Sequence, residues 1–348
     1  MAREVVVYGA YGFTGRLVAE AQLARGIRPI LAGRNGARLQ SVAESLNCHR
    51  VAVALGDAAG LRGLTRRAAA VLHCAGPFRD TAAAMRAACL ATGTHYIDIT
   101  GEPEVLEASA ASDAAARAAG IMVLSGGGFD VVPTDCLAAM LMLRLPDAQR
   151  LTLAFQGSGG PSRGTMRTAA AHIAERPWVR RGGRLVRRRL GMTTQVDFGD
   201  GPVKARAVSW GDVVTAWHST GVPDIEVFMV LPPEARQLVT APWLVRRLLA
   251  TGPGQEMIGR RLARLPEGPD AQARAEGWAR IYGRAENEAG MVVELRLHTA
   301  EAYHLTALSM AEIGARVLQG QAQVGYQTPA TAFGANFVLG LPGSRLIR

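Results

Sequence analysis

Residues 5–16 read VVVYGAYGFTGR, an apolar run that breaks into Gly9, Gly12 and Gly15 and then enters a helical pattern. A glycine turn between a strand and a helix constrains the fold strongly, because it is the opening unit of a parallel strand–helix–strand winding. Apolar stretches near residues 29–32, 51–55, 70–74, 96–99 and 121–124 follow as further strands. Alanine- and arginine-rich segments between them, such as 79–92 and 103–119, carry the i, i+3, i+4 repeat of helices. This alternation predicts an α/β architecture, a Rossmann doubly wound parallel sheet with helices on both faces, over residues 1–135.

After Pro133 the pattern changes. Residues 151–156, 225–231, 279–285 and 291–298 read as longer strands, the last two forming a hairpin around Ala289-Gly290. Antiparallel pairing suits them better than continued βαβ units. A second α+β substrate and dimerisation domain with a mixed or antiparallel sheet is therefore expected over 136–323. A tail, 324–348, is expected to pack back on the Rossmann domain. A chain of 348 residues suits two domains, and 49% hydrophobic with 20% charged residues suits a globular protein.

The spacing is GxxGxxG, and in this context the glycines allow the tight turn, the approach of backbone N–H groups to a pyrophosphate, and close helix–strand packing. Tyr11, Phe13 and Thr14 fill the same turn. The alternative is a tight turn with no ligand. At the end of the second strand, where NAD-preferring folds place a carboxylate, stand Arg34 and Asn35. An arginine there can pair bidentately with a 2′-phosphate, which points to NADP; a solvated surface arginine is the alternative. Asp57 ends the third strand, where a carboxylate either reaches adenine or caps the next helix. Cys74, Ala75, Gly76, Pro77 and Phe78 end the fourth, on the edge where the nicotinamide half would lie.

Net charge is +10, and Lys204 is the only lysine. Position 200, four residues earlier, is Asp, so the Tyr-x-x-x-Lys pair of short-chain reductases is excluded. Cys48, Cys74, Cys89 and Cys136 have neither CxxC nor paired-His spacing, so no metal site and no disulfide framework is expected.

The motifs AYGFTG, AGRN, HCAGPF, THYIDITGE and GGGFDVVPTD occur in that order within the first 135 residues. With them the chain resembles the saccharopine-dehydrogenase-like oxidoreductases, which include saccharopine reductases, trans-acting enoyl reductases and imine reductases of siderophore assembly. The resemblance implies a nicotinamide-dependent reductase. It carries Gly9, Gly12, Gly15 and Arg34 onto the cofactor turn and phosphate reader. It also places Cys74–Phe78, Gly101-Glu102 and Phe129-Asp130 around nicotinamide and substrate. Beyond this domain only GYQTPATAFG looks familiar, so the substrate is not carried over.

Hydride transfer needs a proton source or sink beside the acceptor carbon. Glu102 and Asp130 are the leading candidates, with His172 on a helix expected over 164–175. Asp98, Tyr96 and His95 lie at the same strand ends. Each has a plainer alternative: a helix-end partner for Glu102, a cap for Asp130, backbone binding for Asp98, packing for the aromatic residues and for His172.

Residues 176–189 hold seven arginines. A solvated mobile loop is the default for such a run; a docking surface for an acidic carrier protein or a carboxylated substrate is the sharper reading. No nucleic-acid module accompanies the charge. The start lacks a secretion signal and no segment is long and apolar enough to span a membrane, so a cytoplasmic protein without a membrane partner, forming a homodimer, is expected.

The leading function is NADPH-dependent reduction of a C=N bond in a small or carrier-bound intermediate, for example in siderophore or secondary metabolism. The alternatives are enoyl C=C reduction in polyketide or lipid biosynthesis, and a non-catalytic NADP sensor.

Overall fold

A strand covered on both faces must be apolar on both, and β1 (Glu4–Tyr8) buries four of its five residues. The computed structural model describes residues 4–171, 174–231 and 243–347. In it β1 pairs with β2 (Ile30–Gly33) on one side and β4 (Ala68–His73) on the other. β3 (Arg50–Ala52), β5 (His95–Asp98) and β6 (Met122–Leu124) complete the order 3-2-1-4-5-6. β15 (Gly325–Gln327) arrives from the far end of the chain and pairs beside β6, so the sheet has seven parallel strands.

Alternate residues divide between two cores. Val5, Val7, Leu31, Leu72 and Ile97 face the second sheet, whereas Val6, Tyr8, Ile30, Val71 and Tyr96 lie on the opposite face. The doubly wound prediction is the architecture found.

The second sheet follows the order β10 (Thr193–Asp197), β11 (Pro202–Ala207), β12 (Asp224–Met229), β7 (Arg150–Gly157), β13 (Trp278–Glu286), β14 (Val292–Ala300), β16 (Arg345–Ile347). Only β12 and β7 run parallel within that path, so the sheet is mixed. The hairpin expected at Ala289-Gly290 joins β13 to β14, with Gly290 at φ +79°.

Two helices lock the sheets together. α7 (Val132–Met142), buried over most of its length, lies against β13 and α9 (Asp212–Thr220). The helix Ala302–Leu318 packs on α1 (Phe13–Ala24) and on the triple-glycine loop before Phe129. There the amide of Phe129 donates to Thr306 Oγ1 at 2.9 Å and the Ser309 hydroxyl donates to the Gly127 carbonyl at 2.7 Å. The tail 324–348 serves both sheets, through β15 in the first and β16 in the second.

Three local expectations need correction. The helix expected over 103–119 is two, α5 (Pro103–Ala110) and α6 (Asp113–Ala118). At the break the Ser112 hydroxyl donates to the Ser109 carbonyl at 2.6 Å, an alternative to helix continuation.

The arginine run is no loop but a hairpin of β8 (Trp178–Arg181) and β9 (Arg184–Arg187), turned by Gly182 and Gly183 at φ +52° and +75°. Arg180, Arg181 and Arg187 have partners. Arg180 is buried, donating to Glu107 at 2.6 Å and to the Val213 carbonyl at 2.6 Å, with its guanidinium over the Trp217 ring. Arg187 stacks 3.9 Å from the centre of the Trp178 ring and pairs with Glu104 and Glu175. Each pair of aromatic and carboxylate holds a guanidinium that would otherwise be left to solvent.

Finally, β10 and β11 were not anticipated. Their polar, alternating sequence around Gly199-Asp200-Gly201 hides the apolar side, Val196 and Ala205, which is buried with Phe198 and Phe228.

Candidate active site

The first four helices begin at the carboxyl edge of the parallel sheet, and their N-termini are treated differently. α2 (Gly36–Leu46) is capped by Asn35, whose side-chain oxygen accepts the Arg38 amide at 3.0 Å. α3 (Ala58–Thr65) is capped by Asp57, which accepts the Gly60 amide at 2.9 Å. α4 (Phe78–Thr92) is held by Glu102 from another loop. α1 alone of the four has neither a side-chain cap nor an acidic residue in its first turn. Open N–H groups and the positive end of the helix dipole are what a pyrophosphate needs.

The glycines fit that use. Gly9 adopts φ +86°, and a Cβ there would stand 2.9 Å from the Ala75 Cβ. On Gly15 a Cβ would stand 2.2 Å from the Gly9 carbonyl oxygen. Turn and helix are therefore pressed together and against the loop Cys74–Pro77, as close backbone approach to a dinucleotide requires.

Arg34 is exposed at the end of β2 with no ion pair among the described residues. Behind it the Tyr11 ring lies against Gly33, where a Cβ would come within 2.6 Å of it, and the Arg38 guanidinium sits 5.0 Å from the ring centre. Arg38, which the sequence did not single out, thus adds a second cation near the expected 2′-phosphate. Asn35 and Asp57 each have one oxygen committed to a cap. Phe13 and Thr14 open α1. The Phe13 ring meets Tyr303 edge-on at 5.1 Å and lies under the Arg274 guanidinium at 5.6 Å. A cavity of about 600 Å³ runs from Gly12 and Phe13 past Arg38 to Glu267, Gly268 and Arg274.

The other loops lie at the strand ends where the nicotinamide half is expected. Burial pushes the Cys74 thiol up to about 12, so it stays protonated and unreactive near neutral pH. Burial likewise pushes His73 down to about 3, leaving a neutral imidazole. Glu102 caps α4 with both oxygens, accepting Phe78 N at 2.9 Å and Arg79 N at 3.1 Å. Asp98 is a buried node that accepts from the Tyr96 hydroxyl, the Ser125 hydroxyl, Thr100 N and Gly126 N, fixing the ends of β5 and β6. His95 Nδ1 accepts the Met122 amide at 2.8 Å. Tyr96, Asp98 and His95 thus hold the scaffold.

Asp130 differs. α7 has Val131 at its N-cap with no side-chain capping bond, so Asp130 is not the cap its position suggested. Its carboxyl has no hydrogen-bond partner among the described residues. A Cβ on Gly101 would stand 2.9 Å from the Asp130 Cβ, so the two loops touch. The residue opens partly onto the cleft, while protein packed around the carboxyl and the neighbouring Glu102 charge push its pKa up to about 7.

Tyr303, which the sequence did not reveal, completes the cluster. Its hydroxyl oxygen accepts the Ser162 amide at 2.6 Å and lies 2.8 Å from the Thr165 hydroxyl. Burial raises its pKa, and Asp130 is close enough to add to the rise. The only trace in the sequence was an aromatic residue two positions after Glu301, which caps the helix Ala302–Leu318. His172 lies outside the described residues. Among those described, no cluster of His, Cys, Asp or Glu could hold a metal, and no helix is long and apolar enough to cross a membrane.

Residues 5–124 match the model of the saccharopine dehydrogenase NADP binding domain. A trans-acting enoyl reductase of Mycobacterium leprae is 35% identical over 150 residues, 41% of this chain and 36% of that protein. A human saccharopine dehydrogenase-like oxidoreductase is 31% identical over 151 residues, 38% of this chain and 35% of that protein. These matches span about a third of the relatives' length. The structure of a saccharopine dehydrogenase (L-Glu forming) from Saccharomyces cerevisiae superposes with a TM-score of 0.66 at 10% identity, covering 99% of this chain and 100% of that one. The two share their fold.

Proposed function

We propose that this chain, whose nucleotide-binding domain belongs to the saccharopine dehydrogenase NADP-binding family, is an NADPH-dependent reductase that uses Asp130 as its proton donor. When bound, the cofactor supplies a hydride. The chain's residues bind and orient it through the open N-terminus of α1 and through Arg34. They also hold a proton at a carboxyl beside the loops Cys74–Phe78 and Gly126–Phe129.

The observation that carries this reading is Asp130 itself, raised to about 7 and without a hydrogen-bond partner among the described residues. A carboxyl that is half protonated near neutral pH suits general acid catalysis. On this reading the Tyr303 hydroxyl, held by Ser162 and Thr165, orients a polar substrate atom next to that acid.

The substrate class we favour is a C=N bond in a small or carrier-bound biosynthetic intermediate. The nitrogen takes the proton from Asp130 as hydride reaches carbon, so no separate oxyanion site is needed. A C=C bond is the second reading, supported by the resemblance to a trans-acting enoyl reductase. An enoyl substrate would place its carbonyl oxygen toward Tyr303, which would stabilise the developing enolate.

The hairpin narrows the carrier idea to Arg184, Arg188 and Arg189, which are exposed. A homodimer is part of the same proposal. NADPH oxidation against a panel of cyclic imines and enoyl thioesters, with product masses from deuterated NADPH, tests the reading. Turnover of imines supports it and turnover of enoyl thioesters alone replaces it with the second. Tight NADPH binding without turnover across both classes would leave a cofactor-sensing protein.

A further inference from the structure

Two consecutive helices, Trp243–Leu249 and Gly252–Leu262, carry an unusual surface. Leu244 is 63% exposed, Leu248 68% and Met257 56%. Five arginines, at 246, 247, 260, 261 and 264, accompany them with a single glutamate, Glu256. Large aliphatic side chains so exposed, on helices so rich in arginine, match neither a core-facing helix nor an ordinary solvated one.

The pair is firmly attached to the molecule. A Cβ on Gly254 would stand 2.5 Å from the Leu248 carbonyl oxygen, so the helices pack tightly on each other. The Gln255 amide donates at 2.9 Å to the carbonyls of both Ala170 and Leu249, tying the pair to α8 (Arg163–Ala171). Beside it, Arg246 and Arg247 line a cavity of about 310 Å³ with Ala174 and Leu190. The Nε of Arg246 is buried without a hydrogen-bond partner among the described residues, which leaves a donor for an anionic group.

We infer that this helix pair docks on an anionic phospholipid bilayer, with Leu244, Leu248 and Met257 in the acyl boundary and the arginines on headgroup phosphates. Each helix is too short and too charged to span a bilayer, and the pattern of exposed aliphatics with flanking arginines is that of interfacial helices. An acidic protein would satisfy the arginines but would need a matching apolar surface to cover the leucines, which a bilayer supplies of itself. The absence of a spanning segment, from which no membrane partner was expected, does not bear on attachment of this kind.

Flotation of the whole protein with vesicles of phosphatidylcholine alone, or of phosphatidylcholine and phosphatidylglycerol in equal amounts, tests the inference. Binding is expected only to the mixed vesicles, weakening as salt rises. The double variant Leu244→Asp/Leu248→Asp should lower partitioning more than roughly tenfold. Arg246→Gln and Arg247→Gln should each lower it roughly fivefold. Arg66→Gln/Arg67→Gln, exposed on the first domain, should leave it nearly unchanged.

No flotation with the mixed vesicles would overturn the inference. So would binding that ignores the leucine variants but falls with Arg66→Gln/Arg67→Gln, since that is adhesion by overall charge. A dimer in solution that Leu248→Asp dissociates would assign the patch to a second copy. NADPH binding and thermal unfolding of each variant report separately on the cofactor site and the fold.

Discussion

Glu102 precedes α5 yet caps α4: its Oε1 accepts the Phe78 amide at 2.9 Å and its Oε2 the Arg79 amide at 3.1 Å. A carboxylate on two backbone donors at a helix start is held in place by hydrogen bonds and by the helix dipole. It also fixes where α4 begins, and hence the loop Cys74–Pro77 that abuts Gly9. Glu102→Gln keeps one acceptor and loses the charge, so it should cost about 1–2 kcal/mol of stability in denaturant unfolding. Turnover should stay within about tenfold, with the pH–rate limb kept but moved to lower pH, because the Glu102 charge that helps raise Asp130 is gone. Disappearance of the limb altogether in this variant would move the acid from Asp130 to Glu102.

On the proposed reading, Asp130 supplies that limb. With its pKa pushed up to about 7, the carboxyl is protonated below that pH and ionised above it. kcat/KM for NADPH-dependent reduction should therefore fall as pH rises through about 7. Asp130→Asn should lower kcat by roughly 10²–10⁴-fold and abolish this limb.

Stability should fall in the same direction, as pH rises. A carboxyl raised in the folded state binds more protons there than in the unfolded chain, so the native protein loses stability as pH climbs from the usual carboxylate range to about 7. Asp130→Asn removes that loss, and its melting temperature relative to the parent should be higher at pH 8 than at pH 4. Equal shifts at both pH values would mean that the carboxyl titrates normally.

The parallel sheet was legible because β1, β2, β4, β5 and β6 are buried along nearly all their length and carry apolar runs, with glycines at the one turn that demands them; the edge strand β3 is largely exposed. β15 was not legible as a seventh strand, since three residues 200 positions downstream of β6 carry no local trace of their partner. The arginine run misled for a physical reason. Arg180 is held by Glu107 and Trp217 on α5 and α9, and charge alone does not show which arginines find such partners. Asp130 was identified from its place at a strand end, but its raised pKa depends on packing by remote segments. Tyr303 belongs to the same class, because its partners Ser162 and Thr165 lie about 140 residues away.

Arg34 should decide cofactor choice. It stands exposed at the end of β2 beside the Tyr11–Arg38 pair, where a 2′-phosphate would add charge-assisted hydrogen bonds absent with NADH. Arg34→Ala should raise KM for NADPH roughly 10- to 100-fold, because it removes a bond to a charged group. KM for NADH should change less than about twofold by the same argument. Equal effects on both cofactors would remove Arg34 from the 2′-phosphate site, leaving Arg38 as the cation to test.

Gly15 and Gly63 form a paired test of which glycines the fold requires. A Cβ on Gly15 would stand 2.2 Å from the Gly9 carbonyl oxygen, and the clashing atom is backbone, so only movement of the whole turn could relieve it. That movement would pull α1 away from β1 and spoil the pyrophosphate position. Gly15→Ala should therefore lower the melting temperature and raise the NADPH dissociation constant in fluorescence titration by more than roughly tenfold, the scale set by overpacking costs of about 1–3 kcal/mol. Gly63 lies exposed in α3, with nothing within 4 Å of the place a Cβ would take. Gly63→Ala should stabilise the protein by about 0.5–1 kcal/mol through the unfolded chain's lost freedom, with NADPH affinity unchanged. If Gly15→Ala bound NADPH normally, the turn would have slack that the close packing of Gly9, Gly15 and Ala75 denies.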